Sequence, residues 1–456
     1  MTTGAAVSVI VGLGKTGASC ARYLARRGVA AAVTDSRPNP PGLAELGGLA
    51  KTLDLRLGGF DLSLLDGATQ VLMSPGVSLE EPIASEARAR GIEVLGDIEL
   101  FARAVRAPVI GVTGTNGKST VTSLVAAMAA AAGKRALAGG NLGKPALDLL
   151  DEPVPDLYVL ELSSFQLETT RSLDLIAAVV LNVTSDHMDR YASIEDYARA
   201  KERIFDRAAT MVLNVDDPKV AAMRDGARRA GRPPQAVRPH VVTFSVDRAD
   251  ADFTLVRRGS DSFLARRGEP LLPVSRMKIS GSHNSANALA ALALAEAAGL
   301  PLAACLSALE RFPGLPHRSE WVADIAGVRY VDDSKGTNVG ATLAAVSGMP
   351  GPLVMIAGGE GKGQDFAPLA AAFRSKVRHA ILIGKDAPSI ESVLAGVCPT
   401  GRAATMPAAV AAAAAAAHPG DTVLLSPACA SLDMFRDYNH RGDEFAAAVR
   451  ELEGAR

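Results

Sequence analysis

The chain has 456 residues, with 48 basic and 49 acidic side chains mixed along its length and a net charge of −1. No long-range field therefore points to nucleic acid or to a membrane surface, and small polar or anionic ligands are favoured. Such a length exceeds what one hydrophobic core serves and predicts about three domains, and the high apolar (48%) and low aromatic (4%) content fits α/β layers.

Cys20, Cys305, Cys398 and Cys429 have neither metal-ligand nor disulfide-framework spacing, as suits a reducing cytosol. The N-terminus opens on the strand pattern Ala6–Val11, without the basic and apolar regions of a signal peptide. In residues 1–97 the strand runs into Gly12-Leu-Gly14-Lys-Thr-Gly17, a helix is expected near Ala18–Arg27, and a second strand, Ala30–Asp35, ends in an acid. Taken alone this is GxGxxG with an acid after strand two, which fits either a dinucleotide, with Asp35 on a ribose hydroxyl, or another phosphate ligand at the helix start. A strand at Gln70–Met73 leads to the turn Ser74-Pro-Gly-Val77, expected at the same carboxyl edge of the sheet.

Residues 98–314 open on Val109–Thr120, a β-branched strand that enters a glycine turn and then a helix carrying Lys118, Ser119 and Thr120. Backbone N–H groups around Gly111, Gly114 and Gly117 suit an anion, Lys118 adds a point charge, and Ser119 reaches a phosphate-bound Mg²⁺. The generic P-loop spacing is not met, because Val112 stands six residues before Lys118. Strands are expected at Tyr158–Glu161, Ile176–Val183 and Met211–Val215. Glu161 ends a buried strand, where its charge requires a cation or donor, and His187 follows the next strand in a loop. A helix is expected over Ile194–Asp206, with Tyr197 and Lys201 sharing a face at i, i+4. The Arg- and Pro-rich stretch from Gly226 to His240 reads as a surface loop, since no aromatic residue interleaves its charges. An alanine-rich helix begins near His283, and capping explains one of Asn284 and Asn287 but not obviously both.

Residues 315–456 begin with Gly314–Arg318 and a hairpin-like pair ending in Val331–Asn338. Strands follow at Leu353, Ala380–Gly384 and Thr422, with polar loops carrying Lys362 and Ser431. The run Ala408–Ala417 is about half a membrane span and reads as a surface or core helix.

Gly114-Thr-Asn-Gly-Lys-Ser119, Glu161-Leu-Ser-Ser164, Asp186-His-Met-Asp189, His283-Asn284 with Asn287, Pro316-His-Arg318, Asp333-Ser-Lys335 and Ser426-Pro-Ala428 together resemble the Mur ligases of peptidoglycan synthesis, over the whole chain. The Glu161–Leu167, Asn182–Tyr191 and Leu425–Asp433 stretches resemble most closely the branch that adds D-glutamate to UDP-N-acetylmuramoyl-L-alanine. The resemblance implies a three-domain α/β chain. A Rossmann-like UDP-binding domain would span 1–97, a central P-loop ATPase-type parallel-sheet domain 98–314, and a C-terminal Rossmann-like α/β domain that binds the amino acid 315–456. It implies UDP, not a nicotinamide cofactor, at the first glycine motif.

By the same resemblance Gly14, Lys15, Thr16 and Gly17 hold the diphosphate, Asp35 and Ser36 lie near the uracil, and Asn141 and Ser163 lie on the muramoyl substrate. ATP falls to Gly114, Thr115, Asn116, Gly117, Lys118, Ser119, Thr120, Asn284, Asn287, Arg318 and Asp333. The amino-acid pocket falls to Lys335, Thr337, Lys362, Ser431 and Tyr438. Ser119 and Glu161 would hold one Mg²⁺, and His187 with an N-carbamylated Lys201 a second; Lys118, His187 and Lys201 are the catalytic set. The chain departs from the family pattern at Lys15, often apolar in relatives, and at Tyr438, often Phe. The expected partners are the small-molecule substrates, acting on a cytoplasmic monomer with no nucleic-acid or membrane partner. Two other activities remain open at this level: another amide ligase of the superfamily, such as folylpolyglutamate synthase, and an NAD-dependent dehydrogenase built on Gly12–Gly17.

Overall fold

The computed structural model describes residues 7–226, 239–279, 281–349 and 351–454, so most of the Arg- and Pro-rich stretch, 227–238, lies outside the described residues. The first sheet is wholly parallel in the order β3-β2-β1-β4-β5, from β1 (Val7–Val11), β2 (Ala30–Asp35), β3 (Asp54–Leu57), β4 (Ala68–Met73) and β5 (Glu93–Leu95). Strand order reverses beside β1, and the crevice beyond the carboxyl ends of β1 and β4 is where such sheets bind ligands. Gly12–Gly17 and Ser74 both lie there. The helix Lys15–Arg26 starts directly after Gly14, slightly earlier than the sequence predicts. Gly17 is needed for that turn, since a Cβ would lie 2.1 Å from the Gly12 carbonyl oxygen.

The second sheet contains β6 (Val109–Thr113), β7 (Ala136–Gly140), β8 (Leu157–Glu161), β9 (Ala177–Val180), β10 (Thr210–Asn214), β11 (His240–Phe244), β12 (Phe253–Arg258), β13 (Asp261–Arg266) and β14 (Glu269–Pro273). Its order is β14-β13-β12-β11-β10-β9-β6-β8-β7. The phosphate-loop strand β6 sits inside, between β9 and β8. Strands β12, β13 and β14 pair antiparallel, which the expected alternation of strands and helices does not include. Their signal was the two-residue turns Gly259-Ser260 and Arg267-Gly268, the second with positive φ at both residues as a type I′ hairpin requires.

Strand β9 is shorter than the predicted Ile176–Val183. After Leu181 the chain leaves the ladder and turns beneath the phosphate loop, where Asn182 accepts from Thr115 N through its carbonyl (2.9 Å) and from Asn116 N through its side chain (2.8 Å). Likewise the helix expected to reach Asp206 ends at Glu202 and tightens into a 3₁₀ turn, Arg203–Phe205. There the Arg203 guanidinium bonds the Leu167 and Thr170 carbonyls, at 2.8 and 2.9 Å.

The third sheet comprises β15 (Glu320–Ile325), β16 (Val328–Asp332), β17 (Leu353–Gly358), β18 (Val377–Ile383), β19 (Thr400–Arg402) and β20 (Thr422–Leu425). The order is β15-β16-β20-β17-β18-β19, and only the β15 hairpin edge is antiparallel. The alanine run forms the helix Met406–Ala416, which buries Met406, Ala409, Val410 and Ala413. Among the described residues no helix is long and apolar enough to cross a membrane.

Side-chain alternation decides how the layers join. In β8, Tyr158 and Leu160 face one core while Leu157 and Val159 face another. The first of these cores also contains Ile10, Val33 and Leu72, so it runs unbroken from the first sheet under the second. The third sheet has cores of its own on its two faces. At the first joint Asp148 accepts from the buried Ser19 hydroxyl (2.8 Å) and from Arg22 (2.7 Å). Asp148→Ala strands the Ser19 donor in the joint, so urea unfolding is expected to show a loss of about 1–3 kcal/mol. An unchanged midpoint would mean that apolar contact alone holds the two layers.

Candidate active site

The phosphate loop needs glycine at two places. Gly117 has φ +86° and a Cβ there would lie 2.4 Å from the Asn287 Oδ1; Gly114 has φ +150° and a Cβ would lie 2.9 Å from the Leu181 Cβ. Lys118 at the start of the following helix folds its ammonium onto the Gly114 and Thr115 carbonyls, at 2.9 and 2.8 Å. Lys201 reaches the same Gly114 carbonyl at 3.0 Å. Two lysines thus converge on one oxygen. Burial lowers the Lys118 pKa, and burial followed by the Lys118 charge holds that of Lys201 well below the ordinary lysine value. Lys201 is 1% exposed, with its Nζ 4.2 Å from the Tyr197 ring centroid, so the i, i+4 face read from sequence is a buried contact and not a solvated lysine.

The donors expected for Glu161 are present. Its Oε2 accepts from Ser119 Oγ at 2.6 Å and its Oε1 from Asn141 Nδ2 at 2.7 Å, at the carboxyl end of β8. His187 has φ +57° and stands edge-on to Phe165, centroids 4.9 Å apart. Burial lowers its pKa and favours the neutral imidazole, the form that ligates metals. Ser163 caps the short helix Ser164–Glu168 in a capping box with Gln166, which fixes the loop after Glu161.

Across the cleft the third domain contributes Arg318, Asp333, Lys335, Thr337 and Lys362. Two cavities adjoin there, of about 320 and 280 Å³, and share Asn116, Gly117, Arg318 and Lys335 in their walls. The larger is lined by Thr120, Asn284, Asn287 and Asp333, the smaller by Ser119, Asn141, Glu161, His187, Lys201 and Lys362. Neither asparagine caps its helix; Asn287 Nδ2 bonds Asn284 Oδ1 at 3.2 Å, and both amides edge the larger cavity. Asp333 accepts from Ser426 Oγ (2.7 Å) and Ser319 N (3.1 Å), yet burial pushes its pKa up to about 7. Burial, with Arg318 and Lys118 nearby, brings Lys335 down to about 8.

The remaining expected residues lie outside these two cavities. Gly14 caps the first-domain helix, the exposed Lys15 begins it with Thr16 and Gly17, and the exposed Ser36 directly follows β2. Asp35 does not stand open: Leu13 N donates to it at 2.6 Å and the Arg37 guanidinium covers it at 2.8 and 2.9 Å, so its carboxylate clamps the glycine loop to β2. Tyr438 lies under Lys335, with Nζ 4.2 Å from the ring centroid, and Ser431 is buried in the loop after β20. Among the described residues His317, Glu320 and Asp332 also bring ligand atoms together. The 2.7 Å contact of His317 Nδ1 with Asp332 is an ordinary hydrogen bond that orients the loop carrying Arg318.

Sequence reasoning passed over Arg441. Its guanidinium, fully buried, donates to Ser334 Oγ (3.0 Å), the Ser334 carbonyl (2.7 Å) and the Cys429 carbonyl (3.0 Å), tying the Lys335 loop to the Ser431 loop. A buried arginine that binds carbonyls has no spacing signature. Next to it Gly442 lets the helix pack against His317, since a Cβ there would lie 2.1 Å from the His317 Nδ1.

Family models for the Mur ligase MurD-like N-terminal domain, the Mur ligase middle domain and the Mur ligase glutamate ligase domain match residues 6–96, 112–295 and 317–429. The chain belongs to the Mur ligase family. It is 55% identical over 453 residues to the UDP-N-acetylmuramoylalanine–D-glutamate ligase of Nitrosococcus oceani, covering 98% of this chain and 97% of that one. Identity to the protein of the same name from Methylococcus capsulatus is 51% over 445 residues, with 97% and 94% covered. Two solved Mur-type ligases share the fold at a TM-score of 0.63 and 18% identity. The pseudomurein peptide ligase type C from Methanothermus fervidus covers 98% of this chain and 100% of its own, and the MurC UDP-N-acetylmuramate-alanine ligase from Thermotoga maritima 99% and 100%. With a Mur ligase MurD-like N-terminal domain on residues 6–96, the dehydrogenase reading of the first glycine motif falls away, and so does folylpolyglutamate synthase as the activity of the whole chain.

Proposed function

We propose that this Mur ligase joins D-glutamate to the free carboxylate of UDP-N-acetylmuramoyl-L-alanine with hydrolysis of ATP to ADP and phosphate. The observation that carries the reading is the meeting, in two adjoining cavities, of the Gly114–Ser119 loop with Glu161, His187 and Lys201 on one wall and Arg318, Asp333 and Lys335 of the glutamate ligase domain on the other. Near 50% identity to ligases of that name over nearly the whole chain supports it.

A carboxylate and an amine do not condense in water until the carboxyl oxygen becomes a leaving group. Transfer of the γ-phosphoryl group to that oxygen gives an acyl phosphate and ADP. The amino nitrogen of glutamate, as the neutral amine, then attacks the carbonyl carbon, the C–O bond breaks, and phosphate departs with the amide formed. Backbone N–H groups of the phosphate loop and Lys118 hold the phosphates, Arg318 balances charge from the far wall, and Asn284 and Asn287 read the base. Lys335, Thr337, Lys362, Ser431 and Tyr438 form the amino-acid pocket, while Gly14–Gly17, Ser36, Asn141 and Ser163 hold the UDP substrate. The hard oxygen donors of Ser119 and Glu161 suit one Mg²⁺, and neutral His187 with Lys201 as its carbamate suits a second; bound there, the ions neutralise the phosphate charge. The working division is 1–97, 98–314 and 315–456, in a cytoplasmic monomer.

Phosphate release should require ATP, Mg²⁺, UDP-N-acetylmuramoyl-L-alanine and D-glutamate together. Release that ignored the UDP substrate, or that proceeded equally with L-glutamate and a folate, would overturn the assignment.

A further inference from the structure

The third domain meets the phosphate loop through the first turn of the helix Val339–Gly348. Asn338 caps that helix, its Oδ1 accepting from Ala341 N at 2.8 Å. This fixes which end of the amide is oxygen, because a backbone N–H admits only an acceptor. The Nδ2 end therefore faces Asn116 Oδ1 at 3.1 Å and Asp186 Oδ2 at 3.3 Å, and Asn116 Nδ2 returns a bond to Asn338 Oδ1 at 3.3 Å. Asn338 is 2% exposed. Asn116 belongs to the phosphate loop, and the other oxygen of Asp186 accepts from His187 N at 3.0 Å. One side chain of the third domain thus touches both loops that carry the chemistry. An independent contact lies two residues on, where a Cβ on Gly340 would sit 2.9 Å from the Thr184 Oγ1.

We infer that Asn338 is a positioning residue: its amide latches the third domain onto the phosphate loop and the His187 loop together, so that the nucleotide site is complete only when this turn is docked. The inference rests on the ATP-site reading above. An amide is the side chain that fits both duties, accepting from the helix and donating across the joint. Aspartate caps equally well but donates nothing, and it sets a second carboxylate against Asp186.

The test compares Asn338→Asp, Asn338→Ser and Gly340→Ala with the unchanged chain. Binding of a non-hydrolysable ATP analogue and of UDP-N-acetylmuramoyl-L-alanine is read by calorimetry, kcat and KM by phosphate release, and folding by thermal melting. Asn338→Asp should weaken analogue binding and lower kcat/KM for ATP by about 10–100-fold, with unchanged melting and unchanged affinity for the UDP substrate. Gly340→Ala should move the same way although alanine favours the helix itself. Asn338→Ser, which caps but cannot span the joint, should fall between. Wild-type analogue binding and turnover in Asn338→Asp would overturn the latch, as would losses that appear in all three variants only in proportion to a lowered melting temperature. Failure of the unchanged chain to bind the analogue would instead strike the ATP-site reading.

Discussion

Lys201→Ala is expected to cut turnover by about 10²–10³-fold, the loss typical of removing one oriented group from a charged transition state, and short carboxylic acids should restore part of it. The reason lies in where the ammonium sits. Lys201 is 1% exposed, its Nζ bonds the Gly114 carbonyl, and among the described residues no carboxylate lies within ion-pairing distance. Burial and then the Lys118 charge disfavour the ammonium form, and the neutral amine is the form that adds to carbon dioxide. In the carbamylation proposed for Lys201 the N–C bond would form and one proton leave, which would turn a cation into an anionic carbamate with two oxygens, the hard ligand Mg²⁺ prefers. Tyr197, one turn earlier, packs against the same nitrogen. Lys201→Arg should stay inactive, since guanidinium neither deprotonates nor forms the carbamate. Full activity in Lys201→Arg, or an unmodified lysine mass in fully active protein, would withdraw this role.

Lys118→Ala should abolish ATP turnover to a similar extent, about 10²–10³-fold, while calorimetry finds UDP-N-acetylmuramoyl-L-alanine bound as before. Two glycine motifs on two different sheets motivate the split: Gly12–Gly17 at the switch point beside β1, and Gly114–Gly117 after β6. Lys118 touches the Gly114 and Thr115 carbonyls of its own loop, and its loss leaves the first sheet untouched. A folded variant that lost both activities equally would sink the two-site reading.

The sequence by itself carried the phosphate loop, because that chemistry is local. A strand, glycines at positive φ, and Lys-Ser at a helix start are neighbours in the chain, so their spacing survives without the fold. The same holds for the parallel strands with their apolar runs, and for the need of a donor at Glu161, which Ser119 and Asn141 meet. Hairpins β12–β14 were missed because short half-buried strands give a weak periodic signal in a chain that otherwise alternates strand and helix.

What only the tertiary structure decided is partnership between distant segments. Sequence leaves Asp35 as a ligand acid, whereas folding brings Leu13 N and Arg37 onto its carboxylate and turns it into a clamp. It leaves Lys201 sharing a helix face with Tyr197, and only folding buries its ammonium against the Gly114 carbonyl and the Tyr197 ring. In the sequence Asn338 only closes the stretch Val331–Asn338; its capping of the next helix and its contacts with Asn116 and Asp186 exist only in the folded chain. Burial and pairing are properties of a packed interior, set by which faces meet across sheets, and a linear spacing carries no record of which faces those are.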